Sequence, residues 1–534
     1  EAWGLDGIDW SFDMELLNPE LERLESGLEL AAQRIPCWTD AGIKRVVHGP
    51  ITHTPDGGFL LGPAAGLRNY WLCCGASVGI TQGPGCGKYL AQWMIYGQTE
   101  INVREMDARR FGNWAAGKYT LEKAIDDYEH MYQVHYPGEF REPGRTQRTT
   151  PVYETLKSKG AVFGEVFGWE RAKWFDPKGE GERFSFKRNN SFSAVAEECK
   201  AVRECAGLLD LSSFAKFDIS GTDSYGFLSR LCANRIPKKE GGIALVHLLT
   251  DLGGIECEAT VARLSSGRFY FLSAAVAELH DEDWMVQQCQ PDEHVDIRNV
   301  TDDFGVLVLT GPRSRDILGQ LTDSDLSNEA FPWMRCQEVE VAGIPVRALR
   351  VSYVGELGWE LHHPIEYQNN IFDTLFEAGK DLGLKPFGIR AMDSLRIEKS
   401  YRLVGTELSI EYAAFESGLE RFVHPNKGDF IGRDALVEWQ QRGFNWQFVT
   451  LEVHDTTDAD PLGNNPIFCD GQPVGRATGG NFGFRVKKSL ALGMVRPELA
   501  EVGTELEMDI LGTIHKVTVI PDCPYDPENM RLRA

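Results

Sequence analysis

"HLLTDLGGIECEATVARLSSGRFYFLSA", His247 to Ala274, carries the period of an extended chain. Polar and apolar residues alternate after Gly254, and aromatic residues crowd the far end. Asp251-Leu252-Gly253-Gly254 and Ser265-Ser266-Gly267 are turn compositions, so the stretch reads as three strands joined by two turns, a β-meander. The flanking sequence supplies helices to cover it. "FAKFDISGTDSYGFLSRLCAN" (Phe214–Asn234) is a strand, a Gly-Thr-Asp helix start and an amphipathic helix. "FGVLVLTGPRSRDILGQLT" (Phe304–Thr322) repeats the strand, glycine turn and helix, which suggests two similar half-units around a shared centre.

The 534 residues allow roughly three domains with real cores. Apolar content of 42% and charged content of 25% are ordinary for a globular protein. The net charge of -24, from 79 acidic and 55 basic residues, excludes nucleic acid as a partner. An anionic ligand would need Lys and Arg gathered locally. Apolar runs such as Phe304–Gly311 are too short to span a bilayer, so no membrane partner is expected. The 12 cysteines form no C-x-x-C pair and sit at no zinc spacing. They read as small apolar fillers in a reducing compartment, bacterial cytoplasm or mitochondrial matrix, and no metal site is expected. The chain opens on Glu1 without a signal pattern and runs into an acidic helical stretch, Ser11–Pro36, as a processed product or a piece of something longer would.

"GITQGPGCGKYL" (Gly79–Leu90) resembles a phosphate cradle, but Gln82 and Tyr89 occupy the positions where a P-loop needs Gly and Ser/Thr. The G-x-G-x-G spacing is no dinucleotide fingerprint either. The expectation is a strand, "NYWLCCGAS", a glycine-rich turn, and a helix from Gly87, "GKYLAQWMIYG". Such a turn points backbone donors at an electron-rich group, or merely packs helix on strand; the local pattern leaves both open. Residues 113–200 read as an irregular, Pro/Gly/Arg-punctuated connector. Beyond about 445, short strands with glycine punctuation suit a small barrel or sandwich. The whole is α+β with a β-rich tail.

On the strand from Ile255, Glu256, Glu258 and Thr260 share one face, and Ile255, Cys257 and Ala259 the other. Two carboxylates roughly 6–7 Å apart on one strand face could move protons or hold a cation; a solvated face gives the same pattern. "RVSYVGELGWELHHP" (Arg350–Pro364) reads as a hairpin, Val351–Tyr353 and Trp359–His362 about a turn at Gly355–Gly358. Its arms carry Tyr353 and Glu360. A carboxylate beside a ring reads the N–H edge of a guanidine-like heterocycle; an exposed hairpin glutamate is the alternative. His362-His363 read as a surface pair, not a metal site. In "PFGIRAMDSLRIEKSY" (Pro386–Tyr401), a helix turns Met392, Leu395 and Ile397 to a core and leaves Arg396 and Glu398 for ion pairs.

These stretches, with "NKGDFIGRDAL", "VGRATGGNFGFRVKKSLALGMVRPELAEVGTELEM" and "VVHGPITHTPDGGFLLGPAAGLRNYWLCCGASVGITQGPGCGKYLAQWMIYGQ", resemble the dimethylglycine and sarcosine dehydrogenase family. That family joins an FAD-dependent oxidoreductase to a tetrahydrofolate-binding, aminomethyltransferase-like domain. More distantly the chain resembles the T-protein of the glycine cleavage system. The resemblance covers essentially the whole chain. It implies the remnant of a flavin-binding α/β domain at 1–112, a connector at 113–200, a folate domain at 201–440 and a C-terminal β-barrel at 441–534. Gly79, Ile80, Thr81 and Gln82 match the contact with the flavin ring. Glu258 matches the catalytic carboxylate, where Cys257 and Glu258 replace the T-protein's aspartate pair. Tyr353 and Glu360 match the folate tyrosine and the pterin-reading carboxylate, and Trp333 is a further stacking candidate. Met392 and Leu245 depart from the T-protein and follow the dehydrogenase branch. The family's N-terminal G-x-G-x-x-G is absent. FAD is therefore expected only if an N-terminal flavin-domain fragment or subunit supplies the rest. The implied function is folate-linked oxidative N-demethylation of a dimethylglycine- or sarcosine-type amino acid, with the one-carbon unit passed to tetrahydrofolate. A folate-dependent aminomethyltransferase without redox activity and a non-catalytic folate-binding module are the alternatives.

Overall fold

Two antiparallel sheets at the centre of the molecule are each built from a strand that bends at a glycine into a helix. The computed structural model describes residues 11–13 and 15–534; positions 1–10 and 14 of the expected 1–112 unit lie outside the described residues. In the first sheet the order is Asp296–Asn299, Ala215–Ser220, Arg268–Ser273, Ile255–Ser265, Ile243–Leu249, and the last three are the meander. The second sheet runs Cys336–Val341, Ile344–Leu349, Gly358–Pro364, Phe304–Thr310, Ala206–Asp210, Leu384–Pro386, with only the last pair parallel. Ala215–Ser220 turns at Gly221 into the helix Ser224–Leu231, and Phe304–Thr310 turns at Gly311 into Ser314–Leu318. Both glycines lie at positive φ, +124° and +120°. A Cβ at Gly221 would stand 2.0 Å from the His294 carbonyl oxygen, and one at Gly311 2.7 Å from those of Cys205 and Val202. Only glycine serves at either bend.

Residue alternation decides which sheet faces meet. Cys257, Ala259 and Val261 pack with the helix Ser224–Leu231 and Met285 on the outer side of the first sheet. Ala262, one step out of phase, packs with Tyr270, Leu272 and with Cys336 and Leu349 of the second sheet. In the second sheet Trp359 and Leu361 face an outer core with Phe372 and Leu375, so Glu360 and His362 turn inward. Polar residues from both sheets thus share the space between them.

The C-terminal expectation holds in its closed form: six strands, Gln447–Val453, Lys488–Val495, Gln472–Gly483, Pro466–Cys469, Glu505–Ile510 and Thr513–Ile520, form a barrel. Closure removes the edges that would otherwise expose unpaired backbone. The barrel is fastened to the sheets through Arg485, 1% exposed, which bonds Glu398 through Nε, Glu356 through Nη1 at 3.0 Å and the Leu395 carbonyl through Nη2 at 2.6 Å. Glu356 also accepts from Tyr525 at 2.7 Å and Arg531 at 2.8 Å.

Three expectations fail. The connector is not irregular throughout: it holds the helices Lys118–His130, Tyr153–Ser158 and Phe192–Glu204, and a hairpin of Ala161–Val166 with Trp169–Phe175. The two hairpin turn residues, Phe167 and Gly168, both take positive φ, as a tight right-twisted hairpin demands. Residues 79–87 are not a turn, because the helix spans Gly79–Tyr96 with Pro84 inside it. Four glycines and an internal proline disfavour that helix by several kcal/mol. Packing overrides them: Cys86, Tyr89, Leu90 and Trp93 bury against Phe59, Leu61 and Val103. Finally, Val351–Tyr353 are not a strand; the inner arm of the hairpin ends at Leu349, and Tyr353 lies in the loop that follows. All 12 cysteines are free thiols, and no helix among the described residues is long and apolar enough to cross a membrane.

Because Glu398 loses its only cationic partner when Arg485 is removed, while Glu356 keeps Arg531, Arg485→Leu should cost about 3–5 kcal/mol. Urea unfolding reads this as a lower midpoint, with barrel and sheet transitions separating. A midpoint within about 1 kcal/mol of the parent contradicts the account.

Candidate functional site

Glu258 stands on Ile255–Ser265 directly across the ladder from His247. His247 is fully buried, and its Nε2 lies 2.9 Å from Glu258 Oε2. The imidazole Nδ1 is buried without a partner, and the ring lies 6.0 Å from that of Phe422. The carboxylate is 21% exposed and its other oxygen takes no protein donor, so that oxygen is open to a ligand.

Glu360 is placed the same way from the opposite sheet. Its Oε2 lies 3.3 Å from His362 Nε2, it is 19% exposed, and its second oxygen is likewise unclaimed by protein. His362 reaches across to the first sheet, where Nδ1 meets the Tyr270 hydroxyl at 3.2 Å. The two carboxylates therefore occupy facing sides of the two sheets, each backed by a buried histidine. The expectation of a surface pair at His362-His363 is wrong: both are buried, because both sit on a central strand covered on each face. Burial lowers the pKa of each, that of His363 to about 4. No group of His, Cys, Asp or Glu among the described residues could hold a metal ion.

Tyr353 stacks on Tyr401 at 5.6 Å and donates to the Arg402 carbonyl at 2.9 Å. Burial raises its pKa, Arg396 opposes, and the negative charge of Glu258 adds to the rise. It shares an apolar cluster with Phe214, Met392 and Leu395. Trp333 stands under the Arg533 guanidinium at 4.9 Å. Gly79, Ile80, Thr81 and Gln82 form the exposed first turn of their helix; Ile80 is 98% exposed, and Thr81 bonds only the Val78 carbonyl. The structure does not bring these four to either carboxylate.

Glu256, one face-repeat from Glu258, belongs to a separate buried network that the sequence did not suggest. His280 Nε2 lies 2.8 Å from Glu256, and its Nδ1 2.9 Å from Asp281. Arg104 donates to the Glu256 carbonyl at 2.6 Å, while Arg109 bridges Asp107 at 2.7 Å and Asp283 at 3.1 Å. The network joins residues 104–110 to the first sheet and borders a cavity of about 40 Å³ lined by Gln98, Arg104, Asp107, Glu256, His280 and Ser409. The partners missed in the sequence were legible only through register: counting back across the Asp251–Gly254 turn places His247 opposite Glu258.

Known proteins resemble the chain along its whole length. Residues 152–427 match the GCVT N-terminal domain, and 447–526 the glycine cleavage T-protein C-terminal barrel domain. Residues 5–93 match the FAD dependent oxidoreductase family and 96–150 the FAD dependent oxidoreductase central domain. The chain is 39% identical to mitochondrial dimethylglycine dehydrogenase of Mus musculus over 100% of its own length and 62% of that protein's. It is 31% identical to mitochondrial sarcosine dehydrogenase of the same organism, again spanning 62% of that protein. The crystal structure of the glycine cleavage system aminomethyltransferase T from Bartonella henselae superposes with a TM-score of 0.62 at 23% identity, covering 71% of this chain and 98% of that one, which shows a shared fold.

The seam network predicts a pH dependence. Burial disfavours charge on Asp107, Glu256 and Asp281, but their cationic partners outweigh it and lower all three pKa values. Burial, Arg109 and Arg104 likewise disfavour charged His280, yet Asp281 and Glu256 outweigh them and its pKa is raised from 6.5. The carboxylates thus contribute stability that is lost as pH falls through their lowered values. His280 contributes stability that is lost as pH rises from 6.5 through its raised value. His280→Gln should flatten the decline in melting temperature above that pH. A decline of equal slope in variant and parent contradicts the assignment.

Proposed function

The chain belongs to the aminomethyltransferase-related family of the dimethylglycine and sarcosine dehydrogenases, and from that premise we propose that it supplies the folate half of an oxidative N-demethylase. The substrate is a methylated amino acid of the dimethylglycine or sarcosine type, and the one-carbon unit passes to tetrahydrofolate. The observation that carries this reading is the opposed pair, Glu258 and Glu360, each with one oxygen on a buried histidine and one left without a protein donor. A reduced pterin presents N–H donors along one edge of a flat ring, so this donor set fits it.

Tetrahydrofolate, when bound, supplies the nitrogen nucleophiles that take up the one-carbon unit. Glu360 accepts from the amino-substituted pterin edge, a charge-assisted bond in a place shielded from water. Tyr353, held by Tyr401 and Arg402, lines the ring's apolar surroundings. Glu258 stabilises a cationic one-carbon-bearing amine and accepts the proton that its capture releases. Holding amine and folate together raises their effective concentration, which contributes more than any single acid–base group. Trp333, under Arg533, is a further stacking candidate.

FAD is a different case. Before residue 112 the described residues offer one two-stranded sheet, Leu60–Pro63 with Trp71–Cys74, and the exposed helix start at Gly79–Gln82. That set fits contact with the redox edge of a flavin and provides no cradle for its adenine or pyrophosphate, so no oxidation step follows from it. A flavin-bearing segment or subunit is the proposed partner. The free thiols and the mitochondrial relatives support a mitochondrial matrix location.

Titration of the chain with tetrahydrofolate tests the assignment. Glu360→Gln should weaken binding about 10- to 100-fold, the worth of a hydrogen bond to a buried charge. Glu258→Gln should leave binding within about threefold. In a preparation that oxidises the amine, it should divert the product from methylenetetrahydrofolate to free formaldehyde. Parent-like binding by Glu360→Gln overturns the pterin assignment.

A further inference from the structure

The two site histidines differ in what holds their far nitrogen. His247 Nδ1 has no partner, whereas His362 Nδ1 faces the hydroxyl of Tyr270, a fully buried residue of the other sheet. We propose that Tyr270 and His362 form a positioning relay across the two sheets. It fixes Glu360 as an acceptor and makes the site selective for 2-aminopterins over ring systems lacking that amino group. The proposal rests on the folate reading above and adds the element that sets its selectivity.

The chemistry of the three groups fixes the direction of the relay. A neutral imidazole carries one N–H, and either nitrogen can bear it. Burial keeps His362 neutral against the pull of Glu360, and burial also keeps the Tyr270 phenol protonated. With the proton on Nε2, the ring donates to Glu360 and Nδ1 accepts from Tyr270, so every group is satisfied. With the proton on Nδ1, the Nε2 lone pair faces the carboxylate and both acceptors repel. Glu360 thus calls for the Nε2–H tautomer, and the Tyr270 hydroxyl, donating to Nδ1, holds the ring in it.

Tyr270 is itself immobile. Its backbone pairs with Asp218 on one side and Ala262 on the other. Its ring meets His362 edge-on at 5.3 Å and 83°, and the Arg347 guanidinium covers it at 4.4 Å. Arg347 is in turn paired with Glu338 at 2.9 Å. The bond from this braced imidazole restrains the carboxylate from turning to other donors. A bound ligand without the amino group covers the partly exposed carboxylate and leaves it short of a partner. Glu258, whose histidine is unbraced from behind, keeps the freedom that proton transfer requires.

The test compares binding of 5-formyltetrahydrofolate and its 2-desamino analogue to the chain and to Tyr270→Phe, which deletes one hydroxyl and keeps the ring. The parent should prefer the amino compound by about tenfold or more. Tyr270→Phe should shrink that ratio several-fold while leaving affinity for the analogue unchanged. An equal loss for both ligands marks a merely structural role, and an unchanged ratio removes the relay; either overturns the proposal. A parent that binds both alike also overturns it while leaving the folate reading intact, whereas a parent that binds neither removes that reading and the relay with it. Nitrogen-15 histidine spectra give a check independent of the variant's folding. His362 should show a single Nε2–H tautomer in the parent, and an Nδ1–H signal contradicts the relay.

Discussion

A carboxylate turned into the gap between two sheets loses the donors that water would supply. It must then be given others or lose its charge. Glu258 and Glu360 face this constraint from opposite sides, and each is answered by a histidine on its own sheet at hydrogen-bond distance. The rest of the central fold serves that arrangement. The sheets are antiparallel with one apolar and one mixed face, helices cover the apolar faces, and the mixed faces meet. Each histidine supplies one donor and no more, which leaves one oxygen of each carboxylate for something else.

The same logic governs the seam between residues 104–110 and the first sheet. There Arg104, Arg109 and His280 are matched to Glu256, Asp107, Asp281 and Asp283, so every buried charge in the set has an opposite. Paired charges of this kind add little net stability, but breaking one pair strands its partner. The seam therefore resists rearrangement more than it adds strength. It holds the flavin-family segment in one orientation against the sheet that carries Glu258.

How far the sequence could be read depended on the kind of signal. Alternation in Ile255–Ala262 shows both the strand and its two faces, because a side-chain period of two survives any tertiary context. The β-rich tail is equally visible in its glycine-punctuated strands, although these fit barrel and sandwich alike and only the strand order shows closure. The helix Gly79–Tyr96 is visible only from Gly87 on, since its earlier glycines and Pro84 speak against helix and only the packing of Cys86, Leu90 and Trp93 makes the first turns form. His362-His363 misled for a related reason: histidine is usually exposed, and nothing local reveals that Gly358–Pro364 is a central strand. His247 and Tyr270 are invisible as site residues until register places one across from Glu258 and sheet packing places the other behind His362.

The bends at Gly221 and Gly311 have a consequence of another kind. Each is a point where a carbonyl oxygen from a neighbouring segment occupies the room a methyl group would need. Any heritable change there must be compensated on a second, distant stretch of chain at the same time. Such paired dependence is rarely crossed by single steps. The two halves can thus diverge in nearly everything else, including which carboxylate each presents, while the corner that gives them a common outline stays frozen.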